Sequence, residues 1–348
     1  MPLPRHRYVH EGREGVYHCF SRCVRRAFLY GFDAFTGRDF SHRKQWLVER
    51  LRYLASIFAI DVCAYAVMEN HYHTILRLRP EIAISWSDLE VATRWLTLFP
   101  QHYSMTSEPD PAFEQDIRAL ADCPERIAEL RKRLCSLSWF MARLNEHIAR
   151  AANKEDDVKG RFWESRFKCQ VLLDEAAVAS CMVYVDLNPI RAGLAACPEE
   201  SSFTSIQERI RAWRRETAAT VPDADQPMPS GSSTESSSWL CPISTDSQRR
   251  GILQMTAIEY FDLVDRSGRM IRSDKRGSID VDLAPILLRI GANPDAWLDT
   301  VSCFGSRFSL AAGLLSNLRN FASQLSRCWL KGAAATRVAF ASSPSQFA

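Results

Sequence analysis

The chain predicts an α+β fold, an antiparallel sheet with helices packed on it, extended by a helical insertion and a helical C-terminal region. Three observations predict it. Strand-like stretches, two of them apolar runs (61–68 and 71–78), recur near 16–22, 61–68, 71–78 and 161–172. Segments between and after them place apolar residues at helical spacing. Two stretches break the rhythm: an acidic, proline-punctuated one at 80–136, and one rich in Thr, Pro and Ser around 214–245.

The first run, Val16 to Arg22, is short and strand-like and leads into the basic run Arg22 to Arg26. Ser41 then reads as an N-cap, followed by Leu47, Leu51, Leu54 and Phe58 at helical spacing. The runs 61–68 and 71–78 flank a tight turn near Glu69-Asn70 and read as a hairpin. Residues 80–136 read as an inserted, mostly helical subdomain. Phe140, Leu144 and Ile148 mark a helix ending near Ala152, and 161–172 reads as another alternating strand. Asp174 is a plausible N-cap, with Glu175 favourable in the first turn. The helix it starts runs through Val178, Met182 and Tyr184 and is expected to end near Asn188, because Pro189 disfavours a helical residue before it. The order β-α-β-β-(insert)-α-β-α suits a ferredoxin-like sheet with helices on one side.

This organisation puts a catalytic or binding domain at 1–205, with its insertion at about 80–136. A helix end and a Ser/Pro-rich linker follow at 206–249, then a helical region at 250–335 and a tail at 336–348. Ile258, Tyr260, Phe261 and Leu263 belong to one C-terminal helical segment, and 282–290 and 310–329 supply two more.

Composition bounds the function. At 348 residues with 46% hydrophobic content, the chain is long enough for two or three modules with a substantial core. No 18-residue apolar run free of charges is present, so no membrane span is expected. The start has no apolar signal core, so export through a signal peptide is not expected either. Eleven cysteines without a repeated Cys-x-x-Cys argue for reduced, mostly buried thiols rather than a zinc cage around Cys19 and Cys23. Net charge is only +3, but residues 1–53 carry eleven Arg or Lys against five acids, and residues 80–130 carry ten acids against three bases. A basic core masked by an acidic insertion suits a phosphate-bearing partner; a solvated charged face gives the same counts.

Four side chains point to chemistry. His71 and His73 are two apart in a strand, so both imidazoles share a face and can reach one cation. Tyr184 and Asn188 are four apart in a helix, so phenol and amide oxygen converge. Each also has an ordinary reading: strand histidines, a core tyrosine, a residue at a helix end. Together they supply what phosphodiester cleavage without a high-energy cofactor needs, a cation for the non-bridging oxygens and a nucleophile that conserves the bond in a covalent link. Arg161, Arg166 and Lys168 around Trp163 offer phosphate contacts and a stacking surface, or a strand with charges outside and aromatics inside. Arg22, Arg25, Arg26 and Arg191 share that ambiguity.

Four stretches, Tyr17-His-Cys-Phe-Ser-Arg-Cys-Val-Arg-Arg26, Ala64-Tyr-Ala-Val-Met-Glu-Asn-His-Tyr-His73, Gly160-Arg-Phe-Trp-Glu-Ser-Arg-Phe-Lys168 and Tyr184-Val-Asp-Leu-Asn-Pro-Ile-Arg-Ala-Gly193, resemble in that order the REP-associated tyrosine transposases, a bacterial branch of the single-tyrosine HUH transposases. The resemblance covers residues 15–200. It implies an HUH endonuclease core in which His71 and His73 hold a divalent metal, Mg2+ or Mn2+, with Asn188 as third ligand. It implies Tyr184 as the nucleophile that leaves a 5′-phosphotyrosine and a free 3′-hydroxyl. It further implies single-stranded or hairpin DNA as partner, no membrane, room for a homodimer, and a cytoplasmic, nucleoid-associated location. Glu69 departs from the pattern, which more often has proline or a small residue there; an exposed turn glutamate is its plainest reading. A domesticated, non-catalytic hairpin-binding protein and a hydrolase using the histidines to activate water are the competing classes.

Overall fold

The computed structural model describes residues 3–10, 12–24, 31–33, 37–99, 111–219, 239–244, 249–272, 287–288 and 292–340. Arg25, Arg26, the serine-rich part of the linker and most of the predicted segment 282–290 lie outside the described residues. The fold is α+β, built on a five-stranded mixed sheet in the order β4-β5-β1-β6-β7. Its strands are β1 (Gly15–Arg22), β4 (Ile60–Val67), β5 (His71–Leu78), β6 (Lys168–Leu172) and β7 (Ala311–Ala312). A separate antiparallel pair joins β2 (Phe32–Asp33) to β3 (Arg38–Asp39). The expected hairpin is β4–β5, whose three-residue connection forces the strands antiparallel.

Two corrections apply to the sheet. It is not wholly antiparallel, because β7 pairs parallel to β6, with Val171 opposite Ala311 and Leu172 opposite Ala312. The strand expected at 161–172 is confined to Lys168–Leu172; before it, Trp163 forms an isolated bridge with Cys23.

The chain forms two compact units, one of residues 1–62, 69–71 and 76–169, the other of 63–68, 72–75 and 170–348. In the first, α1 (His42–Ile57) packs on α6 (Leu137–Glu155), with Leu47, Leu51, Leu54, Phe140, Leu144 and Ile148 all buried. Ser41 occupies the N-cap of α1, but its side chain makes no capping bond; its own N–H donates to Asp39 Oδ1 at 2.8 Å instead. Ser136 does cap α6, which runs three residues past its expected end. Arg43, fully buried at the start of α1, pairs with Glu155 and Asp156 at the end of α6. The insertion is helical as expected, with α2 (Pro80–Ser85), α3 (Asp88–Leu98), α4 (Pro111–Ala121) and α5 (Pro124–Leu134). Arg131 ties α5 to the α2–α3 junction through the carbonyls of Ala83 and Trp86 and the carboxylate of Asp88.

The second unit carries α7 (Glu175–Asp186), α8 (Asn188–Arg191), α9 (Ser205–Ala219), α10 (Ala257–Arg272), α11 (Trp297–Arg307), α12 (Leu315–Gln324) and α13 (Ala333–Ala339). Among the described residues, no helix is long and apolar enough to cross a membrane. All eleven cysteines are unbridged, and seven are buried.

A buried ion pair holds the sheet end of the first unit. Asp61 Oδ2 accepts from Arg77 Nη2 at 2.6 Å, Arg77 Nε at 3.0 Å and Arg79 Nη1 at 2.8 Å, with Arg77 only 2% exposed. Burial alone would raise the Asp61 carboxyl pKa, but the two guanidinium groups outweigh it and hold it below 3.8. Asp61→Ala would leave Arg77 buried without its counter-charge and is expected to cost about 3–5 kcal/mol in chemical denaturation. A loss below about 1 kcal/mol would show that the arginines find other partners. Because the folded pKa is depressed, the pair's contribution is present above pH 3.8 and is lost as pH falls through the folded value.

Candidate active site

The helix carrying Tyr184 starts where the sequence predicts. Asp174 Oδ1 accepts from Ala177 N at 3.1 Å, capping α7, and Glu175 lies in its first turn. The helix does not end at Asn188. Leu187 keeps αR geometry, and the chain goes straight into α8 with Pro189 in its first turn, where a missing N–H costs nothing. Gly193 stops it: at φ 72° it closes a Schellman motif, with Gly193 N bonded to Ile190 O and Leu194 N to Pro189 O. Tyr184, Asn188 and Arg191 thus fall at i, i+4 and i+7 along one nearly continuous helical path.

In the second unit the structure brings together His73, Tyr184, Asn188 and Arg191. The rings of His73 and Tyr184 meet edge to face, with centroids 5.7 Å apart. The Arg191 guanidinium carbon lies 5.1 Å from the Tyr184 ring centroid, and Arg191 and Asn188 are polar neighbours of the phenol. Burial raises the phenol pKa above its usual 10, and these two neighbours oppose the shift. Asn188 is buried, and its Nδ2 has no hydrogen-bond partner. An orphaned buried amide is costly.

His71 belongs to the first unit. Its Nδ1 lies 2.6 Å from Asn70 Oδ1, and since that oxygen only accepts, Nδ1 carries the proton. The other nitrogen, Nε2, is then the lone-pair donor, the arrangement that prepares histidine to bind a cation. Burial first, and the Arg22 charge second, push the His71 pKa down to about 4, so the ring is neutral near pH 7. Asn70 is itself held by Cys23, whose backbone N–H donates to Asn70 O at 3.1 Å, with the thiol at 2.9 Å.

By donor type alone, two imidazoles and an amide oxygen can serve a divalent ion; the unpartnered atom of Asn188 is its Nδ2, a donor rather than a ligand. Among the described residues no cluster of three His, Cys, Asp or Glu is placed to hold a metal. The donor set leaves magnesium, manganese and zinc open.

Of the predicted DNA-contacting residues, Arg22, Arg161, Trp163, Arg166 and Lys168 belong to the first unit and Arg191 to the second. Arg22, Arg161, Arg166 and Lys168 are exposed. Trp163 is half-buried, with its indole N–H donating to Asn145 O at 2.8 Å and its ring edge-on to Phe162. Phe167 is stacked under Arg5, whose guanidinium carbon lies 3.5 Å from the ring centroid and whose Nη2 donates to Phe167 O at 2.7 Å. Glu69 is exposed.

Sequence reasoning assigned no role to four further residues. Asp186, fully buried, accepts from Ser205 Oγ at 2.6 Å, Tyr260 Oη at 2.6 Å and Ile206 N at 3.1 Å. Burial pushes its pKa up to about 6. Phe304 on α11 lies against Tyr184, with centroids 5.9 Å apart. An acid inside an otherwise apolar helix was a readable signal for Asp186; nothing local marked Ser205, Tyr260 or Phe304.

No protein-family model matches the chain, and no curated protein matches it. A solved structure of a REP-associated tyrosine transposase bound to a REP hairpin is similar at 13% identity and a TM-score of 0.35, over 67% of this chain and 95% of that one. That likeness is distant.

The tautomer of His71 is directly measurable. Nitrogen-detected imidazole NMR is expected to show Nδ1 protonated in the wild type, and Asn70→Ala to return the ring to a mixture. An Nε2-protonated ring in the wild type would remove the prepared donor.

Proposed function

We propose that the chain is a metal-dependent endonuclease of the tyrosine transposase kind, which cleaves and rejoins single-stranded DNA at hairpin-bearing sequences through a covalent link to Tyr184. The observation that carries this reading is the grouping of Tyr184 with His73, the Asn188 amide and the Arg191 guanidinium, on the segments whose motifs resemble that family. The strand order supports a ferredoxin-like HUH core: numbering β1, β4, β5 and β6 as first to fourth, the sheet runs second, third, first, fourth.

On this reading His71, His73 and Asn188 hold a magnesium or manganese ion, which when bound supplies charge neutralisation at the scissile phosphate. The protein does the rest. Tyr184 attacks phosphorus through its phenolic oxygen, the bond to the DNA 3′-oxygen breaks, and that oxygen takes up a proton to become the free 3′-hydroxyl. The phenolic proton passes to solvent as the oxygen–phosphorus bond forms, and a solvent proton completes the 3′-hydroxyl. Arg191 favours the phenolate by its charge, against the burial that disfavours it. His73 and Phe304 flank the ring and fix its plane. The link conserves the phosphodiester energy, so a 3′-hydroxyl can reverse it. Arg22, Arg161, Arg166 and Lys168 present exposed cations for the phosphate backbone, and the cytoplasm and its nucleoid are where such a substrate is met.

Tyr184→Phe keeps the ring and removes only the reacting oxygen, so cleavage and the covalent adduct are expected to vanish while hairpin binding persists. Excess chelator is expected to stop cleavage by the wild type. Binding with no adduct from the wild type would favour a non-catalytic hairpin binder. Cleavage that survives Tyr184→Phe would favour a hydrolase that activates water.

The exposed cations make a separate prediction. Replacing Arg166 and Lys168 by alanine is expected to weaken binding and to flatten its salt dependence by roughly one slope unit for each phosphate no longer neutralised. An unchanged slope would take this segment off the DNA path.

A further inference from the structure

α11 contains a glycine, Gly305, next to Phe304. Glycine in a helix is ordinarily a weakness, since it adds backbone entropy and buries nothing. Gly305 does not have the left-handed backbone that would require it. What requires it is space. A Cβ built on Gly305 would lie 2.8 Å from the Tyr184 hydroxyl and 3.3 Å from the carbon bearing it. The neighbouring Phe304 is fully buried and lies against the Tyr184 ring, and it is backed by Phe308 at 5.0 Å and, through Phe308, by Phe340. The aromatic stack keeps α11 from retreating, so the bare α-carbon is the place the hydroxyl occupies.

We propose that Gly305 is a positioning residue: its missing side chain is the seat of the Tyr184 hydroxyl, so the C-terminal helical region sets where the nucleophilic oxygen lies. The inference rests on reading Tyr184 as the nucleophile. A methyl group at position 305 has only one soft neighbour to displace, the free end of the tyrosine, and moving it moves the reacting atom. Displacement by a fraction of an ångström to an ångström from an attacking geometry lowers a rate by up to about 100-fold.

The test is a double-mutant cycle with Tyr184→Phe and Gly305→Ala, read by thermal unfolding and by hairpin binding and cleavage. Gly305→Ala is expected to lower the melting temperature with Tyr184 present, and to leave it unchanged or raise it in the Tyr184→Phe background, where the oxygen is gone. A single variant that fails to fold beside a double variant that folds reports the same coupling. Gly305→Ala alone is expected to cleave about 10- to 100-fold more slowly, with unchanged hairpin affinity. Equal destabilisation in both backgrounds, or cleavage by Gly305→Ala at the wild-type rate, overturns the proposal. Wild-type protein that forms no adduct, yet shows the coupling in melting temperature, keeps the seat and rejects the nucleophile.

Discussion

The Asp186 carboxylate is the group on which the second unit's chemistry depends. α7 is apolar almost all round, and all of its residues from Ala176 to Asp186 are buried except Tyr184. A helix of that kind has no polar face to define its rotation. Asp186 defines it, by accepting from Ser205 and Ile206 at the start of α9 and from Tyr260 on α10. Ser205 also takes the backbone N–H of Tyr65 in β4 at 2.9 Å, and Arg209 reaches the Cys63 carbonyl at 2.6 Å, so strand, α7 and α9 share one polar junction. At about 100° per residue, side chains two before and two after Asp186 leave the helix on its far side and close to each other. Those side chains are Tyr184 and Asn188. Turning the carboxylate toward α9 and α10 therefore turns phenol and amide to the other side, where the phenol ring meets His73. A buried acid held by three donors is a costly way to stabilise a helix but an effective way to specify its orientation.

Much of this was legible because it is local. Periodicity found the β4–β5 hairpin and the helices α1, α6 and α7, since each carries its apolar pattern within its own residues. The Asp174 cap was readable for the same reason. Ser41 shows the limit: residue type and position suit a cap, yet Asp39 supplies the local bond instead, through the Ser41 N–H. Pro189 was read as a stop, but a proline also suits the first turn of a helix, and Gly193 gives the actual end. Only the four-residue spacing of Tyr184 and Asn188 mattered for the site, and it survived that error.

What was not legible came from residues distant in sequence. The aromatic-basic alternation of 161–168 mimics a strand, but its aromatics are spoken for by partners elsewhere: Trp163 by a carbonyl of α6, Phe167 by Arg5. A two-residue strand such as β7 has no period to detect, and its pairing with β6 joins positions about 140 apart. The environment of Tyr184 likewise comes from α11, which has no motif in common with the segments that resembled a family. Sequence pattern singled out the candidate groups; it did not locate what surrounds them.

Charge counts over segments do not say which cations are available. Residues 1–53 carry an excess of bases, but Arg43 is consumed by Glu155 and Asp156, and Arg5 lies on Phe167. The acids of the insertion are also engaged locally: Glu90 pairs with Arg94, Asp88 with Arg131, and Glu129 with Arg126 and Arg133. A cation locked in an ion pair or on an aromatic ring contributes little field to a passing phosphate. Exposed side chains such as Arg22, Arg161 and Arg166 each lie within a segment that a buried or half-buried neighbour (Cys23, Trp163, Phe167) pins to the fold, while Lys168 lies over the Phe20 ring at 5.6 Å. Exposed cations on a pinned backbone lose little entropy on meeting a polyanion, and the proposed nucleic-acid contact has its physical ground there rather than in any sum over the chain.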